Sequence, residues 1–429
     1  MGFSFIHTSD IHLGRPFSDL SVLSKKTELC NLACQKAFGK MIDAAVSKHV
    51  NFVLIAGDSF DNAEHDLSTK LLFIKNLEKL ADNGIKSYII CGNHDPISSY
   101  KKYGSYFNFD KKYEGIINIA GVTTDESSVI FHYKDIVDIH ALSFESSECS
   151  NPVNFLQKAN NDIFNIGLIH CDLDKSDSKY APCSKRDLRL LGYDYYALGH
   201  IHLPTLDGSN MVYSGSLQSR SRKETGVHGY YYIESDGKTV TRQEYFSADF
   251  VRFSSIDLDC SKYNNRKEVF EGIIEFLNMQ LNDIELMLYE INLTGISASY
   301  NDLYGSLILE YMENYIQEEP EHAAVYRINN YTSPDINESE LLEDDGIIGI
   351  LAKSFSSSSE INIDEIYKST SKIHSNIYQA LGLNSELRNE IAAHIIENKE
   401  KILSQAEKEI KELCKEIFNN DLSNNNITK

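Results

Sequence analysis

Asn51-Phe52-Val53-Leu54-Ile55-Ala56-Gly57-Asp58-Ser59-Phe60-Asp61 is the stretch that decides the fold. It is a short apolar run that ends at a glycine and is followed by two acidic residues. An apolar run of this length, bounded by glycine, predicts a buried strand with its carboxylates just beyond its end. Other apolar runs end in the same way, at 3–6, 86–91, 164–169 and 193–198.

Each of these five predicted strands is followed by a cluster of polar residues. In an open α/β sheet the carboxyl ends of the strands lie along one edge, where ligands bind. Oxygen and imidazole donors together suit Mn, Fe or Zn better than Ca or Mg alone. Seven ligands are too many for one ion, whereas two ions that share a carboxylate use them all. The predicted ligands are Asp10, His12, Asp58, Asn93, His170, His200 and His202.

The order of the motifs resembles a known family. Asp-x-His, Gly-Asp-x-x-Asp, Gly-Asn-His-Asp, a lone His and Gly-His-x-His follow one another within residues 1–250. This series is similar to the calcineurin-like metallophosphoesterase superfamily, and within it to the DNA repair exonucleases of the SbcD and YhaO type. The resemblance implies an α/β fold, a layered sandwich of two mixed β-sheets flanked by helices. It also implies a small α+β capping domain and a C-terminal helical segment.

The resemblance further implies how the ligands divide between two divalent metal ions. Asp58 is the expected bridge, since its loop is central and a carboxylate can span two cations. We expect Mn, with Fe, Zn or Mg as alternatives. By the resemblance, the first ion is held by Asp10, His12 and His202, and the second by Asn93, His170 and His200.

Three further residues are predicted to take part in catalysis. His94 would face the substrate, with Asp95 orienting it, and would protonate the leaving oxygen or stabilise the pentacoordinate phosphate. The alternative for His94 is that it only orients a ligand. Asp61 stands near a position where some nucleases of this group have a histidine, and is expected to hold a loop or a ligand by a hydrogen bond.

Two segments are candidates for contact with DNA. Residues 98–112 interleave basic and aromatic side chains, a pattern that favours gripping a nucleic-acid strand. A surface loop anchored by its aromatics is the alternative. A second group of basic residues follows Ser214-Gly215-Ser216-Leu217. The candidate contacts are Lys101, Lys102, Arg220 and Arg222.

Three regions are expected along the 429 residues: a nuclease domain at 1–249, a capping domain at 250–332, and an acidic linker with C-terminal helices at 333–429. The net charge of −22 argues against a protein coated in nucleic acid, and residues 251–429, with 15 basic and 32 acidic side chains, hold most of it. Residues 385–418 carry an apolar stripe at helical spacing. This helix is predicted to dock a partner, with packing against the rest of the chain as the alternative.

The partners and the location follow from the resemblance and from composition. The resemblance implies DNA and a large coiled-coil ATPase of the SbcC/YhaN type as partners, the ATPase bound through the C-terminal helices. A homodimer is a further option. The chain begins without the features of a signal peptide and has no apolar stretch of membrane-spanning length. We therefore expect a cytoplasmic protein without a membrane association, its eight cysteines reduced.

These observations predict a DNA exonuclease or endonuclease that hydrolyses phosphodiester bonds with a hydroxide activated by two metals, as a subunit of a DNA repair complex. One alternative is a phosphoesterase for small nucleotides or a phosphoprotein. In protein phosphatases, Gly-Asp-x-x-Asp is usually followed by Arg-Gly, and Gly-Asn-His by Glu. In this chain Asn62 and Ala63 stand in place of Arg-Gly, and Asp95 stands in place of Glu. The other alternative is a non-catalytic scaffold of the same fold.

Overall fold

The protein is described by a computed structural model. The described residues are 2–14, 17, 26–61, 67–103, 109–160, 162–279, 284–297, 300–303 and 322–334. The predicted linker and C-terminal helices from 335 onward lie outside them, as does most of a helix predicted at 300–317. The chain forms two compact units. The first comprises Met1–Ile256, Ile274–Ile291 and Glu310–Ile328, and the second comprises Asp257–Ile273, Asn292–Leu309 and Asn329–Lys429.

Strands and helices alternate through the first 250 residues, as predicted. The helices there are α1 (Thr27–Ser47), α2 (Leu67–Asp82), α3 (Ile97–Tyr103) and α4 (Lys185–Leu191). The strands are β1 (Phe3–Thr8), β2 (Phe52–Ala56), β3 (Lys86–Ile90), β4 (Ile117–Ile119), β5 (Ser128–Tyr133), β6 (Val137–Leu142), β7 (Phe164–His170), β8 (Tyr195–Gly199), β9 (Met211–Tyr213), β10 (Gly229–Ser235) and β11 (Val240–Ser247).

These strands form two mixed sheets. One has six strands in the order β11-β10-β1-β2-β3-β4, with β1 to β4 parallel and β10 antiparallel to β1. The other has five strands in the order β5-β6-β7-β8-β9, parallel except for β5. The predicted sandwich of two mixed sheets flanked by helices is therefore confirmed.

Strand β2 shows why the sheets lie between helices. Phe52, Leu54 and Ala56 pack between the two sheets, in the core that also contains Ile139 and Leu168. Val53 and Ile55 point the other way, into the core that contains Phe38 of α1 and Phe73 of α2. A strand that is buried on both faces needs apolar residues at every position. This requirement explains the unbroken run that the sequence shows before Gly57.

The parallel pairing places the five polar clusters at one edge. Thr8 pairs with Ile55, and Ile55 with Ile89, so β1, β2 and β3 end level with one another. In the other sheet His170, the last residue of β7, pairs with Gly199, the last residue of β8. The loops that follow these strands therefore meet at the carboxyl edge, as the sequence predicts.

The later elements are β12 (Val251–Asp259), α5 (Arg266–Met279), β13 (Leu286–Thr294), β14 (Ile296–Ser297), β15 (Ala323–Asn330) and β16 (Ser333–Pro334). Strands β12, β13 and β15 form a three-stranded sheet. The segment expected to form a capping domain thus contains both a helix and strands. The predicted domain borders at 249 and 332 stay predictions.

The sequence predicts no stretch of membrane-spanning length and cysteines that are reduced, and the structure bears on both expectations. No helix among the described residues is long and apolar enough to cross a membrane. Every cysteine among them is free. The predicted loop at 98–112 differs from expectation, because it starts as helix α3 and ends in a short 3-10 helix, Lys111–Tyr113.

Candidate metal centre

All seven predicted metal ligands lie at the carboxyl edge of the two sheets. Four of them have the left-handed backbone conformation that side chains other than glycine rarely adopt. Such residues cost about 1–3 kcal/mol each and persist where the surrounding structure enforces them, often at functional sites. Their φ values are 50° at Asp10, 46° at His12, 50° at Asp58 and 100° at His200.

The first group of side chains is Asp10, His12 and His202. The Nε2 atoms of the two histidines are 3.2 Å apart. Each lies close to the same carboxylate oxygen, Oδ1 of Asp10, at 3.9 Å for His12 and 3.8 Å for His202. Asp10 is itself held by hydrogen bonds from the backbone N–H of His200 and the hydroxyl of Ser9. These are the residues that the resemblance assigns to the first ion.

The second group is Asn93, His170 and His200. The side-chain oxygen of Asn93 lies 3.0 Å from Nε2 of His170 and 3.2 Å from Nδ1 of His200. Two imidazole nitrogens therefore point at one amide oxygen. These are the residues that the resemblance assigns to the second ion.

Asp58 lies between the two groups and is 2% exposed. Its Oδ2 atom is 3.7 Å from Nε2 of His12 and 3.5 Å from Nε2 of His170. Its Oδ1 atom accepts the backbone N–H of His94 at 2.9 Å. One oxygen thus faces a histidine from each group while the other fixes the orientation of the carboxylate. This is the position that a bridging ligand requires.

Each of the four histidines also has an oxygen beside its outer ring nitrogen. A metal-binding histidine usually gives this outer N–H to an oxygen, so that the lone pair of the other nitrogen points inward. The donor set and its outer shell therefore fit two divalent cations. The outer pairs are His170 Nδ1 with Ala56 O at 2.8 Å, His202 Nδ1 with Glu224 Oε1 at 2.8 Å, His200 Nε2 with Asp172 Oδ2 at 3.3 Å, and His12 Nδ1 with Asp61 Oδ1 at 3.3 Å.

The charges of the buried acids and histidines depend on one another. Burial lowers the pKa of His170, but the adjacent carboxylate of Asp58 outweighs burial and raises the pKa to about 9. Burial raises the pKa of Asp58, yet His170 and His94 outweigh it and hold the pKa below its ordinary value. The buried carboxylate is thus stabilised by neighbouring positive charge, which bound cations also provide.

The three predicted catalytic residues have different surroundings. The side chain of His94 is 40% exposed, and its Nδ1 lies 2.8 Å from the backbone carbonyl of Asp61. The carboxylate of Asp61 lies 3.3 Å from Nδ1 of His12 and 3.8 Å from Nδ1 of His94. Asp61 therefore contacts both a predicted ligand and the predicted acid.

The structure corrects the expectation that Asp95 orients His94. Asp95 is buried and accepts hydrogen bonds from the backbone N–H groups of Ser59, Phe60 and Gly92 and from the hydroxyl of Tyr100. Within the described part of the chain it makes no hydrogen bond to His94. Burial and the nearby Asp58 raise the pKa of Asp95 to about 7. Asp95 joins the loop after β2 to the loop after β3.

The candidate DNA contacts are not alike. Arg222 is exposed, whereas Arg220 is only 3% exposed and lies beside His202 and Glu224. The side chains of Lys101 and Lys102 lie outside the described residues. Contact of these four residues with DNA stays a prediction.

The sequence analysis did not predict two carboxylates that contact candidate metal ligands. Glu224 accepts the Nδ1–H of His202, and although burial raises its pKa, His202 and Arg220 outweigh burial and lower it to about 2. Asp172 faces His200. The available signal was proximity in sequence, since Asp172 follows His170 by two residues and Glu224 follows the Ser214-Gly215-Ser216 segment. Acidic residues at such spacings are common, so the signal is weak.

The chain is similar to known phosphoesterases and repair proteins. The model of the calcineurin-like phosphoesterase family matches residues 3–204. The uncharacterized metallophosphoesterase YhaO of Bacillus subtilis is 30% identical over 63% of this chain and 66% of its own length. The DNA double-strand break repair protein Mre11 of Sulfurisphaera tokodaii is 25% identical over 70% of this chain and 76% of its own. That of Methanopyrus kandleri is 23% identical over 58% of each. The chain thus matches between 58% and 76% of the length of these relatives.

Proposed function

Residues 3–204 match the calcineurin-like phosphoesterase domain, and from this premise we propose that the chain is a metal-dependent DNA nuclease. It hydrolyses phosphodiester bonds with two divalent ions, preferably Mn, and acts within a DNA repair complex in the cytoplasm. The observation that carries the proposal is the placement of Asp58 Oδ2 within 3.7 Å of His12 Nε2 and 3.5 Å of His170 Nε2. The similarity to the Mre11 repair proteins supports DNA as the substrate.

The candidate ligands form two groups, one for each ion. Asp10, His12 and His202 would hold one ion, Asn93, His170 and His200 would hold the other, and Asp58 would contribute to both. When bound, the ions supply a water of lowered pKa and neutralise the charge of the phosphate oxygens. The buried carboxylates and the fixed imidazole rings set where the reacting phosphate lies.

His94 is the proposed general acid. Its Nδ1–H donates to the carbonyl of Asp61, so Nε2 is the other ring nitrogen of a side chain that is 40% exposed. Its backbone N–H holds Asp58. In its protonated form the imidazole can give a proton from Nε2 to the leaving oxygen. Asp61, beside both His94 and His12, keeps the acid in a fixed position relative to the first group.

The proposal includes the domain order and the partner. A nuclease domain at 1–249 is followed by a capping domain at 250–332 and by a C-terminal region at 333–429 that docks a coiled-coil ATPase of the SbcC/YhaN type. The support for docking is the apolar stripe of residues 385–418 in the sequence. Deleting 385–429 should abolish binding of the ATPase and leave metal uptake intact.

The test uses three substrates with Mn present: end-labelled DNA, a generic phosphodiester and a phosphomonoester. We expect cleavage of DNA by the wild type, at least about 100-fold slower in His94→Ala, as for loss of a general acid, and absent in Asp58→Asn. The matched control is His132→Ala, an exposed histidine paired with Asp138, which should cleave as the wild type does. Turnover of the small esters without DNA cleavage, with and without the ATPase, would instead establish a small-substrate phosphoesterase.

A further inference from the structure

Arg220 is a buried cation beside the proposed metal centre. Its side chain is 3% exposed. Nη2 lies 3.3 Å from Nδ1 of His202 and 4.0 Å from Oε1 of Glu224, and Nη1 lies 3.8 Å from Oδ1 of Asp61. The backbone N–H of Arg220 also donates to Oε2 of Glu224 at 2.9 Å. A buried guanidinium is unfavourable unless carboxylates compensate it, and here two carboxylates do so.

The guanidinium lies behind the His202 ring as seen from the ligand groups. It approaches Nδ1, whereas the opposite nitrogen, Nε2, faces His12 and Asp10. The imidazole ring therefore separates Arg220 from the place of the first ion. In this position the contacts of Arg220 are with residues around the first group, namely His202, Glu224 and Asp61.

The two carboxylates near Arg220 are the outer partners of the first group. Asp61 lies beside Nδ1 of His12, and Glu224 accepts the Nδ1–H of His202. A planar guanidinium presents several N–H donors in a fixed fork, so one arginine can face two carboxylates at once. Nε and Nη1 of Arg220 have no hydrogen bond within the described residues.

The outer partners of the second group are different. His170 gives its Nδ1–H to the backbone carbonyl of Ala56, and His200 faces Asp172, which pairs with Lys175 and Ser178. None of these contacts involves Arg220. The arginine is therefore connected to one ligand group only.

We propose that Arg220 is a positioning residue for the first cation site: its guanidinium links Asp61 and Glu224, fixes the rings of His12 and His202, and supports that site without supporting the second. The inference rests on the proposed two-metal function. Partners of metal ligands typically contribute about 10–100-fold to metal affinity. The expected consequence is selective loss of one of two ions.

The test measures Mn binding by the full-length protein, by calorimetry and by electron paramagnetic resonance. The wild type should bind two ions with a spin-coupled spectrum. Arg220→Met should keep one ion at wild-type affinity, bind the other about 10–100-fold more weakly, and show an uncoupled spectrum at intermediate Mn. Arg220→Lys, which keeps the charge without the fork, should fall between them. Arg242→Met is the matched control, because Arg242 also pairs with two carboxylates, Glu234 and Glu244, but at the surface.

Double variants identify the site that is lost. The double variant Arg220→Met with His170→Ala should lose tight binding of both ions. The double variant Arg220→Met with His202→Ala should still bind one ion tightly. Wild-type affinity for both ions in Arg220→Met, or equal weakening of both, would overturn the inference. If Arg220→Met unfolds, Glu224→Gln takes its place and must lose the same single ion. Failure of the wild type to bind two ions would instead refute the proposed two-metal function itself.

Discussion

Substituting Gly92 by alanine tests the position of the bridging carboxylate. A Cβ atom at Gly92 would lie 2.1 Å from Oδ1, 2.7 Å from the backbone N and 2.8 Å from Cγ of Asp58. Real Cβ contacts are essentially never closer than 3.0 Å. Because the backbone of Asp58 is among the atoms struck, the loop itself must move. Gly92 is not among the residues with positive φ, so the cost comes from this contact and not from backbone strain.

Overpacking of this kind typically costs about 1–3 kcal/mol. We expect Gly92→Ala to lower the free energy of unfolding of the metal-free protein by that amount. We also expect weaker Mn binding at both sites, because the displaced Asp58 faces a histidine from each group. Denaturant unfolding in chelator measures the first effect, and calorimetric titration with Mn measures the second.

Gly39→Ala is the control. Gly39 lies within helix α1, and an added Cβ would meet nothing within 4 Å. Alanine in place of an unconstrained helical glycine should stabilise the protein by roughly 0.5–1 kcal/mol and leave Mn binding unchanged. The same substitution therefore has opposite expected signs at the two positions. Wild-type stability together with wild-type Mn affinity in Gly92→Ala would refute the close approach of Gly92 to Asp58.

Three further outcomes are expected. Asp95→Ala leaves three buried backbone N–H groups unpaired and should lower the free energy of unfolding by about 3 kcal/mol or more. The side chain of His94 is half-exposed, so His94→Ala should change the free energy of unfolding by under about 1 kcal/mol. Equal effects of the two substitutions in urea unfolding would contradict the loop-joining role of Asp95. Burial lowers the pKa of His7 to about 3 from the ordinary 6.5, so the unfolded chain binds a proton there that the native chain does not, and stability falls as pH drops below about 6.5. His7→Gln should show a smaller loss of stability between about pH 7 and about pH 5, by roughly 2 kcal/mol; an unchanged loss in urea unfolding would refute this. Chelation of the ions should lower the melting temperature, equivalent to about 2.7 kcal/mol for each ion at 100 times its dissociation constant, and Asp10→Asn should respond less; an equal response would place the bound ions elsewhere.

The α/β fold and the edge where the candidate ligands meet were predictable for one reason. Strands buried on both faces must be apolar throughout, and parallel strands bring the residues after their ends to one edge. The run from Phe52 to Ala56 and the residues beyond it therefore predicted a buried strand and the place of the candidate site, whereas the two-sheet sandwich was implied by the family resemblance. The left-handed backbone at Asp10, His12 and Asp58 is consistent with this, since each lies directly past a strand end.

The roles of Asp95, Arg220 and Glu224 could not be predicted in this way. Asp95 is adjacent to His94 in sequence, yet the turn directs its carboxylate to the backbone of Ser59 and Phe60. Arg220 belonged to a basic segment that was expected to contact DNA, and neither its burial nor its position beside His202 could be read from that segment. A side chain's direction and burial depend on loop geometry, which adjacent sequence does not encode.

The sequence by itself determined the order of strands and helices, the edge at which the polar loops meet, and the donor types that make a two-metal phosphoesterase site. These depend on periodicity and on residue chemistry, which are local. The tertiary structure decided which oxygen of Asp58 faces a histidine of each ligand group. It also decided which carboxylates contact the outer ring nitrogens of His200 and His202, and that the side chain of Arg220 is buried. Those contacts join residues far apart in the chain, such as Asp58 and His170, and arise only when two separate sheets pack against each other.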